Sequence, residues 1–178
     1  MPVNKLLFSV SFYTPYISGL TVYARNLVQI LRQKGYKITV LTMQHSKKLK
    51  LEENNRGIKI IRAKTFIGIS KGFLSFDYLK QCIFEIGRHD AVFVNLPQFE
   101  GFVPAVLARL FKKKLIVIYH CDVILPRSVL NFLIQRVLDY ANFLTLVLAE
   151  IVVTNSADFA RNSRILPKFS NKVRYVYP

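Results

Sequence analysis

The first forty residues constrain the fold of this 178-residue chain more than any other segment. An apolar strand pattern over Lys5–Ser11 is followed by a loop, an amphipathic helix over Gly19–Lys34 and a second apolar strand over Lys37–Thr42. Gly19 is the only glycine of the loop and lies where the helix begins. A β-loop-α-β unit of this kind brings the first amides of the helix to the carboxyl end of the strand, so it predicts a ligand site there.

The rest of the sequence alternates apolar strand patterns with helical patterns. Strands are predicted at residues 57–62, 91–95, 115–119, 151–154 and 172–176, and helices at residues 73–87, 101–111, 128–148 and 157–166. Strands with polar residues only at their ends are covered on both faces, and their alternation with helices implies parallel pairing with right-handed crossovers. We therefore predict a single α/β domain over residues 1–178, with a doubly wound, mainly parallel sheet of about seven strands and helices on both faces. The segment Gln44–Arg56 is expected to be an exposed loop.

Charge is distributed unevenly along the chain, whose formal net charge is +16. Residues 1–51 contain eight Lys or Arg side chains and no acidic one. A strongly basic surface attracts phosphates, nucleic acid or anionic lipid, but it also serves simply to keep a protein solvated. Charge alone does not choose between these interpretations.

Two features bear on the compartment. Cys82 and Cys121 are too few for a disulfide framework and have no zinc-site spacing, which favours a reducing compartment. The apolar segment 129–149 carries Arg136 and Asp139, so a mostly buried helix explains it better than a membrane span. No secretory signal is convincing, and a cytoplasmic location is expected.

Polar residues follow four of the predicted strands, and these are the candidate site residues. They are Tyr16, Ser18 and Gly19, then Asn95 and Gln98, then His120 and Asp122, and finally Ser156. The carboxyl ends of parallel strands share one edge of the sheet, so we expect these groups to converge.

Three of these candidates, Gly19, His120 and Asp122, also have a plain structural interpretation. Gly19 allows close approach of a ligand or only forms a tight turn. His120 can bond a sugar hydroxyl or be satisfied by a loop carbonyl, and Asp122 orients His120 or caps a turn. His45 and His89 lie in charged loops and are expected to be solvated.

Several functional classes are disfavoured by pattern. The sequence has neither G-x-G-x-x-G nor G-x-x-x-x-G-K-[ST], and no acidic residue ends the second strand, which argues against nicotinamide-dinucleotide and P-loop sites. The basic and aromatic run Arg174–Tyr177 matches no recognised nucleic-acid module and is better explained as a strand edge.

Five segments in order resemble the amino-terminal domain of a GT-B glycosyltransferase of the retaining family 4. They are Pro15–Gly19, Leu27–Thr42, His89–Asn95, Ile116–Asp122 and Ala149–Ser156, and Lys172–Pro178 resembles the strand that leads into the second domain. Two departures are Ser18, where the family usually has a further loop glycine, and Glu150, where aspartate is commoner.

The resemblance implies the amino-terminal half of an enzyme that moves a sugar from a nucleotide-sugar donor to an acceptor. Ser18 and Gly19 would face the donor diphosphate, and His120 would lie near the transferred sugar as a hydrogen-bond donor. The resemblance implies no cofactor and no metal. Most of the donor site would belong to a missing carboxy-terminal domain or a partner chain, so the chain alone is expected to be inactive.

A second hypothesis is a non-catalytic subunit of a split glycosyltransferase, held peripherally at the inner face of a membrane. It rests on the basic residues within 1–51 and their attraction to anionic lipid. Nucleic-acid binding ranks third, and no nucleic-acid partner is predicted.

Overall fold

The fold is taken from a computed structural model that describes residues 4–65, 67–69 and 72–176, with side chains over 4–65 and 75–176. The last two residues of the segment Lys172–Pro178 lie outside the described residues. The strands are β1 (Lys5–Ser9), β2 (Lys37–Met43), β3 (Glu52–Asn55), β4 (Ile58–Ala63), β5 (Ile67–Ile69), β6 (Gly72–Leu74), β7 (Ala91–Leu96), β8 (Lys114–Tyr119), β9 (Ile151–Thr154) and β10 (Val173–Tyr175). The helices are α1 (Gly19–Gln33), α2 (Phe76–Arg88), α3 (Phe102–Leu110), α4 (Val129–Leu148) and α5 (Ala157–Asn162), with 3-10 turns at Phe99–Gly101 and Leu166–Phe169.

The main sheet has eight strands in the order β10-β9-β8-β7-β1-β2-β4-β3. Seven of them are parallel, and only β3 pairs antiparallel, with β4. The strand order reverses direction at β1, which lies between β2 and β7. This arrangement confirms the predicted doubly wound sheet and puts a topological switch point beside β1.

Two apolar cores lie on opposite faces of the sheet. On one face Ala24 and Val28 of α1 pack with β1 and β2 residues such as Phe8 and Val40. On the other face Leu7 of β1 packs in the core that α2, α3, α4 and α5 cover. Successive strand residues point to opposite faces, so a strand buried on both sides has the continuous apolar sequence from which the fold was predicted.

The predicted loop Gln44–Arg56 was wrong in part, because its end forms the edge strand β3. The sequence of β3 lacks an apolar pattern because the strand has a partner on one side only, and three of its four residues are exposed. A tight turn with Arg56 and Gly57 at positive φ returns the chain to β4.

Two helix boundaries also differ from the prediction. Helix α2 begins at Phe76 rather than Phe73, since the Ser75 side chain accepts a hydrogen bond from the Tyr78 amide and residues 72–74 form β6. Helix α5 ends at Asn162, and the predicted continuation to Leu166 is instead a bend and a 3-10 turn. Within the part of the chain that is described, no helix has the length and hydropathy needed to span a bilayer.

Candidate functional site

The carboxyl ends of β1, β7, β8 and β9 lie together, because these strands are parallel neighbours in the sheet. We call this side of the sheet the ligand edge. His120 directly follows β8, and its amide donates to the Leu96 carbonyl oxygen at 3.0 Å. The Tyr23 ring on α1 meets the His120 ring edge-on, with 4.9 Å between centroids. Gly19 lies one turn before Tyr23 on the same helix, so the start of α1 and His120 occupy the same edge of the sheet, as predicted.

The start of α1 is held by a capping box. The Ser18 hydroxyl accepts from the Thr21 amide at 3.3 Å, and the Thr21 hydroxyl accepts from the Ser18 amide at 2.8 Å. A Cβ added to Gly19 would meet no heavy atom within 4 Å, so open space lies in front of this residue. The first amides of a helix have no intrahelical partner and carry a partial positive charge, which makes this space suitable for an anionic group.

His120 is held by a short chain of hydrogen bonds that leads into the sheet. The Asn95 side-chain amide donates to the Ser9 carbonyl oxygen at 3.0 Å, which turns Asn95 Oδ1 toward His120 Nε2 at 3.1 Å. Because Oδ1 can only accept, Nε2 carries the proton and Nδ1 is left with a lone pair. Burial lowers the pKa of His120 to about 4, so the ring is neutral at pH 7.

In this arrangement the ring offers a hydrogen-bond acceptor at Nδ1. The donor role that the resemblance implies for His120 stays a prediction. Donation to a sugar would require the other tautomer or release of Nε2 from Asn95. Asn95 itself is buried and positions His120, and its predicted contact with substrate stays a prediction.

Gln98 belongs to a buried polar cluster beneath the edge. Its Oε1 accepts from the Ser9 hydroxyl at 3.2 Å, and its Nε2 donates to the Tyr78 hydroxyl at 3.2 Å. The Tyr78 and Ser9 hydroxyls are 2.6 Å apart. Glu100 is also buried, but neither of its carboxylate oxygens has a hydrogen-bond partner. Burial raises the pKa of Glu100 to about 7.

Asp122 and Ser156 have structural partners. The Asp122 carboxylate accepts from the Tyr119 hydroxyl at 2.7 Å, the Ser163 hydroxyl at 3.0 Å and the Arg164 amide at 3.0 Å. It therefore fastens the segment after β8 to the segment after α5, whereas the described partner of His120 is Asn95. The Ser156 hydroxyl caps α5 by accepting from the Phe159 amide at 3.0 Å. Substrate contact by either residue stays a prediction.

An apolar groove of about 360 Å³ opens at the same edge. Its lining comes from the first loop, from the segments after β7 and β8, and from α4. Representative lining residues are Phe12, Tyr16, Phe99, Leu125 and Leu138. Tyr16 is 43% exposed and stacks on Phe12, with 4.6 Å between ring centroids. The groove can hold an apolar group close to the start of α1.

Sequence reasoning missed Tyr23 beside His120 and Tyr78 in the buried polar cluster, and it misplaced His89. Tyr23 was not among the candidate site residues, although its position four residues after Gly19 places it at the ligand edge. Tyr78 lies in α2 and carried no signal, since its partner Ser9 is 69 residues away in sequence. The expectation that His89 is solvated was wrong. It is buried and its ring nitrogens bond the Glu85 carbonyl oxygen at 2.6 Å and the Thr39 hydroxyl at 2.9 Å.

In the described part of the chain, no group of three or more His, Cys, Asp or Glu side chains is arranged so that it could hold a metal ion. The groups at the edge are instead a neutral imidazole, helix amides and an apolar groove. Together they suit a ligand that has hydroxyl groups, an anionic group and an apolar portion.

Comparison with known proteins identifies one family. The sequence model described as Glycosyltransferase Family 4 matches residues 17–178. A comparison with curated proteins gives no match.

Solved structures share the fold at low sequence identity. Sucrose-phosphate synthase from Thermosynechococcus elongatus has a TM-score of 0.65 at 12% identity, over 98% of this chain and 48% of its own. Phytolacca americana UGT2, complexed with UDP-2fluoro-glucose and pterostilbene, has a TM-score of 0.62 at 10% identity, over 100% of this chain and 54% of its own. Anabaena HepE in complex with UDP has a TM-score of 0.58 at 14% identity, over 98% of this chain and 43% of its own. The chain thus spans about half the length of these structures.

Proposed function

Since the chain belongs to glycosyltransferase family 4, we propose that it is the acceptor-side half of an enzyme that moves a sugar from a nucleotide-sugar donor to an acceptor. The observation that carries the proposal is the meeting of His120, Asn95 and the start of α1 at one edge of the sheet. Two of the similar structures hold UDP or a UDP-sugar, which supports a nucleotide-sugar donor.

The roles follow from the chemistry of each group. The amides at Gly19 and the partial charge of the helix favour the donor diphosphate. The neutral His120 ring accepts a hydrogen bond from a sugar hydroxyl at Nδ1, and Asn95 holds the ring in this orientation. In this proposal His120 forms no covalent bond to the sugar. The donor binds at this edge of the sheet without a metal or a cofactor.

Most of the donor site belongs to a second domain, on the same polypeptide or on a partner chain. This chain then binds the sugar and diphosphate of the donor weakly and releases no product by itself. Incubation of the 178-residue chain with common UDP-, GDP- and ADP-sugars should show no sugar transfer and no release of nucleotide. Robust turnover by the chain alone would overturn this part of the proposal.

Saturation-transfer difference NMR tests the site directly. With a nucleotide sugar in excess, we expect saturation of sugar protons to exceed that of nucleobase protons. His120→Gln should weaken the sugar signals, while Gln33→Ala, on the exposed end of α1, should leave them unchanged. Addition of EDTA should have no effect. Sugar signals of equal strength in the His120→Gln variant would contradict the assignment of the site.

A further inference from the structure

The outer face of α4 is apolar over its first three turns. Val129 is 82% exposed, Val137 is 61% exposed and Tyr140 is 65% exposed. Leu130, Phe132 and Leu133 are each more than half exposed, and so is Ile124 in the preceding segment. Contiguous apolar surface on this scale marks a binding surface in soluble proteins.

Charge on the same surface is positive. Arg127 precedes the helix and Arg136 lies within the apolar face, where its guanidinium carbon is 5.0 Å from the centroid of the Phe132 ring. The only acidic residue of α4 is Asp139, which is bonded to Gln135 at 2.9 Å and to Arg164 at 3.3 Å. An apolar face with arginines that can extend outward is typical of helices that lie in the interface of an anionic bilayer.

The inner side of the same helix lines the apolar groove at the ligand edge. Ile134 and Leu138 line the groove together with Leu20 and Phe99, while Val137 and Tyr140 are exposed to solvent. Leu125, which precedes α4, also lines the groove. The first half of α4 therefore lies between an exposed apolar surface and the groove, whose lining includes Cys121, the residue after His120.

We propose that the outer face of α4 docks on an anionic lipid bilayer, and that the groove receives the hydrocarbon part of a lipid acceptor from that bilayer. The inference rests on the proposed function, to which it adds the acceptor class. A protein partner would cover the helix face but would leave the apolar groove at the ligand edge without a role. The surface also differs from the basic amino-terminal stretch that the charge pattern suggested.

Flotation with vesicles tests the docking surface. The 178-residue chain should float with vesicles that contain phosphatidylglycerol, and much less with pure phosphatidylcholine. The triple substitution Val129→Ser, Leu133→Ser and Val137→Ser should lower the bound fraction on the order of tenfold, because three exposed apolar side chains leave the interface. Equal binding by this variant would overturn the proposal.

A matched control uses three exposed apolar residues of α2. Phe76→Ser, Leu79→Ser and Ile83→Ser remove a similar area from a different helix and should leave flotation unchanged. Circular dichroism verifies that both variants fold. An equal loss in the two variants would show that binding follows general hydrophobicity and would overturn the assignment to α4.

Fluorescence separates the helix face from the groove, because the chain has no tryptophan of its own. Tyr140→Trp reports the outer face, Ile134→Trp reports the groove, and Tyr175→Trp at β10 serves as the control. Brominated acyl chains should quench the first two and leave the third unquenched. Quenching of Tyr140→Trp without Ile134→Trp would overturn the groove as a hydrocarbon site, and quenching of neither would overturn the whole proposal.

Two further outcomes remain distinct. A concentration-dependent dimer that the α4 triple substitution abolishes, without flotation of the parent chain, would assign the face to a second copy and overturn bilayer docking. Flotation requires no nucleotide sugar, and the saturation-transfer experiment requires no lipid. Failure of the glycosyltransferase assignment and failure of bilayer docking can therefore be told apart.

Discussion

Glu100 should make the protein less stable as the pH rises through the neutral range. The residue is 6% exposed in the turn before α3, and both carboxylate oxygens are buried without a hydrogen-bond partner. Burial disfavours the ionised form and raises the pKa from 4.5 to about 7, although the nearby Ser11 and Gln98 side chains oppose the rise. The folded protein therefore holds the proton of Glu100 to a higher pH than the unfolded chain does.

The size of the effect follows from proton linkage. Between pH 4.5 and pH 7 the folded state binds more protons at this site than the unfolded state, so the free energy of unfolding falls as the pH rises. With the pKa raised from 4.5 to about 7, the free energy of unfolding falls by about 3 kcal/mol between pH 4.5 and pH 8. Solvent screening should reduce this value only slightly, because the Glu100 side chain is almost fully buried.

Glu100→Gln isolates this contribution, since the amide has the same shape and no charge. Urea denaturation at pH 4.5 and pH 8 gives the free energy of unfolding of both proteins. We expect the parent chain to lose about 3 kcal/mol more than the variant over this range. Histidine titrations are common to both proteins and cancel in the comparison.

Glu150→Gln is the matched control. Glu150 is exposed and forms a surface ion pair with Arg109 at 3.5 Å, so its removal should change stability by at most about 1 kcal/mol. Parallel pH profiles for the parent chain and the Glu100→Gln variant would refute the account of an unpartnered buried carboxyl.

Further predictions concern the ligand edge and one turn. The C2 proton of His120 should titrate with a pKa near 4 in NMR spectra, and because the unfolded ring binds a proton near pH 6.5, this residue should cost stability progressively as the pH falls from 6.5 to 4. Asn95→Ala should lower the free energy of unfolding by about 1–3 kcal/mol in urea denaturation, since it leaves buried partners unpaired. Gly19→Ala should change stability by less than about 0.5 kcal/mol but weaken the sugar signals in saturation-transfer NMR, because open space in front of Gly19 means that the fold does not need a glycine there. Gly57→Ala should cost about 1–2 kcal/mol in the same denaturation assay, because φ is +80° and the new Cβ would lie 2.7 Å from Arg32 Nε.

The central strands could be predicted from sequence because burial on both faces produces a continuous apolar pattern, whereas their order in the sheet was not predicted. β1, β2, β7, β8 and β9 all show this apolar pattern, and the meeting of their carboxyl ends follows from parallel pairing. β3 could not be predicted in this way, because an exposed edge strand has a loop-like composition.

Within the site, position along the chain was predictable but contact was not. The place of His120 at the end of β8 was correct, whereas its bond to Asn95 depends on the register of β7 and β8. Asp122 was a reasonable partner by proximity in sequence, but its carboxylate is bonded to residues more than 40 positions away, Ser163 and Arg164. Side-chain direction after a strand ends is set by such long-range contacts, which single-sequence patterns do not contain.

The polar edge strand β3 also protects the molecule from unwanted association. Glu52 pairs with Lys59 at 3.0 Å, and Glu53 pairs with the buried Arg62 at 3.0 Å, so charged side chains line the last strand of the sheet. An exposed strand is a template for further pairing, and charge along it discourages a second chain from extending the sheet. The charged residues of β3 gave its sequence the composition of a loop. The same residues discourage aggregation at this end of the sheet.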